Sequence, residues 1–284
     1  MNFINTIKYK YKIGTIIDKF IYLNVGVFAL TLLITVFQGL YKGEQNFLVQ
    51  WFSLDGNLNA FLTKPWAIIS YGFLHADFIH LIFNMITLYF IGNLFIQYFT
   101  QKQALNFYIL GTLFGGTLYV ISQNYFPLFE GMNSTLVGAS AGISAIFIGI
   151  ATYMPNYEIK IRFIGFVKLW YLAVIWLAFD VIGLIGPNAG GSFSHLGGSL
   201  FGFLYVNQTN TKKTAVFEMF SSFFKRKEKP LKTVHKSAKR KKNTPKNSTP
   251  NQEQIDSILD KISKSGYDTL TKVEKEFLFK QGKR

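Results

Sequence analysis

Apolar residues along this chain fall into long, nearly uninterrupted runs. They show neither the short alternation of a half-buried strand nor the one-sided stripe of a soluble helix. Six runs occupy about residues 20–40, 79–98, 104–122, 136–154, 167–186 and 193–208. Each is close to the roughly 20 residues with which a helix crosses about 30 Å of hydrocarbon. The sixth is the shortest and is rich in glycine. One such run would suit a buried core helix. Six in succession, with almost no internal charge, predict an all-α membrane protein whose 20–208 region is a bundle of six transmembrane helices.

Composition agrees, and charge adds a direction. The 284 residues are 49% hydrophobic and 16% charged, which excludes disorder for most of the chain. The absence of cysteine removes disulfides, thiolate metal sites and thiol nucleophiles. A net charge of +15 would ordinarily suggest nucleic acid or an anionic surface. Its location changes that reading. Residues 1–19 carry +3, from Lys8, Lys10, Lys12 and Lys19 against Asp18. Residues 20–206 are neutral, with six basic and six acidic side chains, and residues 207–284 carry +12. The excess marks the two ends, so no nucleic-acid partner is required.

Under the positive-inside rule both termini are cytoplasmic, together with Lys102 and the Lys160, Arg162 and Lys168 group between runs four and five. The 41–78, 123–135 and 187–192 loops face the other side. The first run follows a polar lead and shows no small-residue cleavage site, so it reads as a retained anchor. A bacterial inner membrane is the expected location.

Beyond the sixth run, 209–251 reads as a basic juxtamembrane segment and flexible linker. Val216, Phe217, Met219, Phe220, Phe223 and Phe224 recur at helical spacing before Lys225-Arg226-Lys227. That pattern suits an interfacial helix on anionic lipid or a simple solubilising tail. Residues 252–284 read as a small cytoplasmic helical hairpin. Ile255, Leu259 and Ile262 mark its first helix, and a Thr271-to-Glu274 capping box starts its second.

Candidate chemistry lies in the polar residues that interrupt the apolar runs, where they are costly and usually functional. His80 and Asn84, at i and i+4, share one face near the outer start of the second run. Ser140 is expected about one turn into the fourth, and His195 two residues into the sixth. All enter from the same side, at similar depth. Gly138 and Gly142, and Gly198 and Gly202, repeat a small-xxx-small spacing that lets membrane helices approach closely. If runs four and six pack through these ridges, Ser140 and His195 come within hydrogen-bond reach, the geometry of a hydroxyl nucleophile and its base. The Ser140 N–H, the Asn84 amide and His80 would then be donors for an oxyanion. Each residue also has an ordinary role: packing for a serine among glycines and alanines, helix bridging for Asn84, a hydrogen-bonded structural group for a histidine. The conjunction favours chemistry. Asp180, nearer the outer end of run five, reads as a helix-pairing or interfacial carboxylate outside this group.

Trp66, Phe73-Leu-His75, His80-Leu-x2-Asn84-Met85, Gly138-Ala-Ser140 and His195-x2-Gly198-x3-Gly202, in this order, resemble the rhomboid family of intramembrane serine proteases. The resemblance covers about residues 20–206. It implies a six-helix bundle that cuts peptide bonds within or beside transmembrane segments of other proteins. By position, Ser140 would be nucleophile and His195 base, a dyad without a carboxylate, with His80 and Asn84 in the oxyanion hole and His75 in support. No metal or soluble cofactor is implied. Two positions depart from the family pattern. Ser144 stands where an aromatic often stacks on the base, and Ala67 follows Trp66 where arginine is common.

Three rival readings fit less well. Gly138-x-Ser140-x-Gly142 with Ser140, Asp180 and His195 follows α/β-hydrolase order, but that fold needs a strand before the serine. A zinc protease on His75, His80 and His195 lacks a His-Glu-x-x-His motif. A transporter should show interrupted helices in related halves. The alternative within the family is a weak or silent relative that binds transmembrane helices; such a relative should lack the serine or the histidine.

Overall fold

The long apolar runs fold as helices, and their ends follow from local chemistry. In the computed structural model, residues 5, 9, 11–41, 46–132, 134–210 and 250–281 are described. They form two compact units, one within residues 1–223 and the other within 224–284. The proposed interfacial helix at 216–227 and most of the linker lie outside the described residues.

In the first unit, helix α1 (Ile16–Leu40) starts at a capping box in which Thr15 and Asp18 satisfy each other's backbone N–H. Short helices α2 (Phe47–Phe52), α3 (Leu58–Thr63) and α4 (Ala67–Ser70), and a 3-10 turn at Tyr71–Phe73, occupy the expected 41–78 loop. Helix α5 (Phe78–Tyr98) is capped by Asp77, which accepts from the His80 N–H at 2.8 Å. Helix α6 (Gln101–Tyr125) opens on a second capping box, Thr100 with Gln103. Helices α7 (Ser140–Tyr153), α8 (Leu169–Gly183) and α9 (Ala189–Asn210) follow.

Helices α1, α5 and α6 are long and apolar enough to cross a membrane; α7 and α8 are apolar but shorter. Helix α9 has the length, at 22 residues, but glycine and serine dilute its apolarity. The described residues are mainly helical, in keeping with the expected all-α class. Two small antiparallel pairs occupy the loops, because backbone groups outside helices still need partners. Strand β1 (Leu54–Asp55) pairs with β2 (Thr135–Leu136), and β3 (Glu158–Ile161) with β4 (Gly165–Lys168).

Helix α7 is the core. Every residue from Ala141 to Ala151 is buried, as expected for a helix that is apolar all round. Gly138, at φ +139°, bends the chain just ahead of it, and Pro155 lies just beyond its C-cap, Met154. The helix therefore has only 14 residues, about 21 Å of rise. The fourth run was expected to begin at 136, but its first residues go into β2 and the Gly138 turn. Ser140 is consequently the first residue of its helix and not one turn inside it.

The glycine ridges divide differently from expectation. A Cβ at Gly198 would run into the Ala141 carbonyl, and one at Gly202 into the Ala145 carbonyl, so these two let α9 lie directly on α7. Gly142 instead faces α6, where a Cβ would lie 2.8 Å from the Tyr108 carbonyl oxygen. The ridge that α7 offers to α9 is therefore Ala141 and Ala145. The departure at Ala67 is also accommodated. Ala67 is buried, while Trp66 stacks on Trp51 at 6.0 Å and donates its Nε1–H to the Trp51 carbonyl. The loop is held by paired indoles where a guanidinium was expected.

The second unit is a helical hairpin. Helix α10 (Pro250–Ser265) and helix α11 (Lys272–Gln281) flank a 3-10 turn at Tyr267–Thr269. Thr271 and Glu274 form reciprocal capping bonds at the start of α11, and Lys261 reaches Glu274 at 2.9 Å.

Candidate active site

Ser140 heads α7, the end of a helix where backbone N–H groups lack intrahelical acceptors. No side chain caps this terminus. The Ser140 hydroxyl therefore belongs to the first residue at the positive end of an uncapped helix. Helix α9 begins at Ala189, so His195 lies nearly two turns in and not two residues from the start. At that depth its Nε2 sits 2.6 Å from Ser140 Oγ. The close contacts at Gly198 and Gly202 hold the two backbones at the separation this bond needs.

Gly138 shapes the other side. Its positive φ suits glycine, and a Cβ built there would lie 3.0 Å from His80 Nε2 and 3.5 Å from Ser140 Oγ. Glycine thus leaves open the gap between the imidazole of His80 and the serine hydroxyl. Asn84, one turn beyond His80 on α5, is buried, and its Nδ2 has no hydrogen-bond partner among the described residues. A buried idle donor costs about 1–3 kcal/mol. The structure thus brings Ser140, His195, His80 and Gly138 together, with Asn84 a turn beyond on the helix that carries His80.

His75 packs edge-on to His80, ring centroids 5.2 Å apart, and neither of its nitrogens has a partner among the described residues. It precedes α5. Burial first, and the charge of His80 next, push its imidazole down to about 4. Among the described residues no group of three or more His, Cys, Asp or Glu side chains could hold a metal ion.

Three residues near the site were not found from the sequence. The first corrects the reading of Asp180. Its Oδ1 lies 2.7 Å from His195 Nδ1, so it is a direct partner of His195 and not a carboxylate apart from it. Only residues 184–188 separate α8 from α9, and this short turn sets Asp180, near the end of one helix, level with His195 on the next. The order of Ser140, Asp180 and His195 was the available signal, but the same order also fits the rival α/β-hydrolase fold. The second is Trp176, one turn before Asp180. Its ring centroid is 6.4 Å from that of His195, and its Nε1–H donates to Ser144 Oγ at 3.1 Å. The small Ser144 leaves room for an aromatic from the neighbouring helix. The third is Tyr71, buried in the loop between α1 and α5. It donates to the Thr112 carbonyl and lies 3.1 Å from Ser194 Oγ, the residue before His195.

A hydroxyl hydrogen-bonded to an imidazole at a helix N-terminus, with an idle amide donor on the helix that carries His80, is an arrangement suited to acyl transfer. Residues 62–209, just over half of the chain, match the Rhomboid domain family. This protein is a rhomboid-family member. Two curated proteins are similar at low identity. "RHOMBOID-like protein 12, mitochondrial" of Arabidopsis thaliana is 28% identical over 143 residues, 46% of this chain and 43% of the relative. "Presenilin-associated rhomboid-like protein A, mitochondrial" of Danio rerio is 26% identical over 165 residues, 57% of this chain and 41% of the relative. The rhomboid chain described here thus aligns with less than half the length of either. Residues 240–283 match a second family, DUF6576, of unknown function.

Proposed function

We propose that this rhomboid is an intramembrane serine endopeptidase that cleaves membrane proteins within or beside a transmembrane segment. The observation that carries this reading is the 2.6 Å hydrogen bond between Ser140 Oγ and His195 Nε2 at an uncapped helix N-terminus. Ser140 attacks the scissile carbonyl while His195 Nε2 takes the hydroxyl proton. The tetrahedral oxyanion is met by the Ser140 N–H, with His80 and Asn84 as further donors. His195 then gives its proton to the leaving amine. Water next attacks the acyl-enzyme through the same base, releasing the second product and restoring Ser140.

In this reading the helices α1 and α5 to α9 are six spans, with the basic termini and the 250–281 hairpin on the cytoplasmic side and the site open to the opposite side. At about 21 Å, α7 is shorter than the roughly 30 Å hydrocarbon layer, which leaves Ser140 sunk below the surface it faces. Its partners are then substrates with a transmembrane segment and, for the basic tail, anionic lipid. Both relatives are named mitochondrial, so they lend no support to a bacterial inner membrane.

The test is cleavage of a single-span substrate in liposomes by wild type, Ser140→Ala and His195→Ala. Each variant should lose activity by at least about 10³-fold. Variants that cut like wild type would overturn the assignment. A wild type that binds the substrate without cutting it would leave a helix-binding relative.

A further inference from the structure

We infer that Asp180 is a positioning residue for His195, making the site a Ser–His–Asp relay assembled from three membrane helices. This rests on the protease reading above. The carboxylate is buried, with 6% of its residue surface exposed. Its Oδ1 meets His195 Nδ1 at 2.7 Å, while its Oδ2 has no partner among the described residues. No lysine or arginine pairs with it among the described residues, where the neutral imidazole of His195 is its hydrogen-bond partner. An ionised carboxylate can only accept hydrogen bonds. The Nδ1 contact therefore selects the tautomer with its proton on Nδ1, which leaves the Nε2 lone pair facing the Ser140 hydroxyl. That is the orientation a general base needs.

A merely structural carboxylate does not explain the arrangement. Burying a carboxylate with one oxygen idle is costly, and asparagine of nearly the same shape would join the helices with less desolvation. The charge becomes useful when His195 accepts the serine proton, because Asp180 is then an adjacent counter-charge to the imidazolium. Trp176 completes the support. It stands one turn before Asp180 on α8, so the two side chains share the face turned to His195. Its indole is held by Ser144 on α7 and lies at 34° to the imidazole plane. Helix α8 thus confines the ring through Trp176 and fixes its proton through Asp180.

The test uses the full chain in detergent, with Asp180→Asn, Asp180→Glu and Asp180→Ala compared with wild type on a single-span substrate. Asp180→Asn should lower kcat by about 10²–10⁴-fold with KM changed less than about threefold, and without loss of thermal stability. Asp180→Glu should recover at least about tenfold over the asparagine variant. A second readout needs no turnover: ¹⁵N resonances of His195, assigned with His195→Gln. They should report the Nδ1–H tautomer in wild type and a substantial Nε2–H population in Asp180→Ala. Asparagine with kcat within about threefold of wild type, or an unchanged tautomer in the alanine variant, would overturn the inference. If Ser140→Ala cuts as fast as wild type, the protease reading fails instead, and the tautomer measurement still decides what Asp180 does.

Discussion

Replacing Gly198 by alanine adds one methyl group at the point where α9 crosses α7, and the consequence can be worked through. The new Cβ would meet the Ala141 carbonyl oxygen, with the carbonyl carbon at 2.8 Å and Ala141 Cα at 3.1 Å. Carbon atoms pack at about 3.5–4.0 Å, so the helices must part by roughly 1 Å. The obstacle is backbone and cannot swing aside. Ala141 directly follows Ser140, and Gly198 lies one turn from His195, so bending has little length in which to absorb the shift. The 2.6 Å Ser140–His195 contact should then open to about 3.6 Å, beyond hydrogen-bond range. Misplacement of that size costs about 10²-fold in rate, and overpacking about 1–3 kcal/mol in stability. The assay is kcat/KM on a single-span substrate, with thermal unfolding in the same detergent. Gly26→Ala is the control, because a Cβ there has nothing within 4 Å. If Gly198→Ala stays within about threefold of wild type and melts with the control, the lock between α7 and α9 does not set the site's geometry.

Three further outcomes follow from the same geometry. Asn84→Ala should lower kcat by about 10²–10³-fold with KM nearly unchanged, since its idle amide would bond only to the developing oxyanion; steady-state kinetics would separate the two constants. Trp176→Phe keeps a ring beside His195 but loses the bond to Ser144, so it should retain more activity than Trp176→Ala; equal losses in a cleavage assay would refute the ring's role. Folding stability should fall as pH drops from about 6.5 to about 4, because the unfolded chain takes up a proton on His75 that the folded protein refuses over that range. Denaturant unfolding of wild type and His75→Gln across these values should show a flatter profile in the variant.

Much of this site was legible because membrane burial makes polar residues conspicuous. His80, Asn84, Ser140 and His195 interrupt apolar runs, and the distribution of lysine and arginine predicts one side of entry for all four. Less legible was anything depending on where helices begin and end. The run of apolar residues continues upstream of Ser140, through Leu136 and Val137, and so predicts a helix that begins about one turn earlier. Pairing of β2 with β1 and the positive φ of Gly138 remove those residues from the helix. Asp180 was illegible for a related reason. Position along one helix does not reveal its partner, which a short turn to the next helix sets beside it. Gly142 matched a packing motif on paper, but a helix surrounded on all sides has more than one face for a glycine to serve.

The loop between α1 and α5 gives a physical reason why the pieces of this site stay together. Tyr71 belongs to that loop, yet it is buried and bonds in two directions. Its carbonyl accepts from the Gly138 N–H at 3.0 Å, two residues before Ser140. Its hydroxyl donates to the Thr112 carbonyl on α6 and lies 3.1 Å from the hydroxyl of Ser194, next to His195. Since the phenolic proton is already given to Thr112, Ser194 is the donor in the second bond. One residue therefore braces the approach to the serine by its backbone and the flank of the histidine by its side chain. A second loop contact, β1 with β2, fixes the same approach from the other end. The helices supply the Ser140, His195 and Asp180 side chains, while the loop determines the path by which the chain arrives at Ser140. A loop held in this way positions the site and is more than a cover over it, which accounts for paired tryptophans and a buried tyrosine in a segment that hydropathy alone reads as a connection.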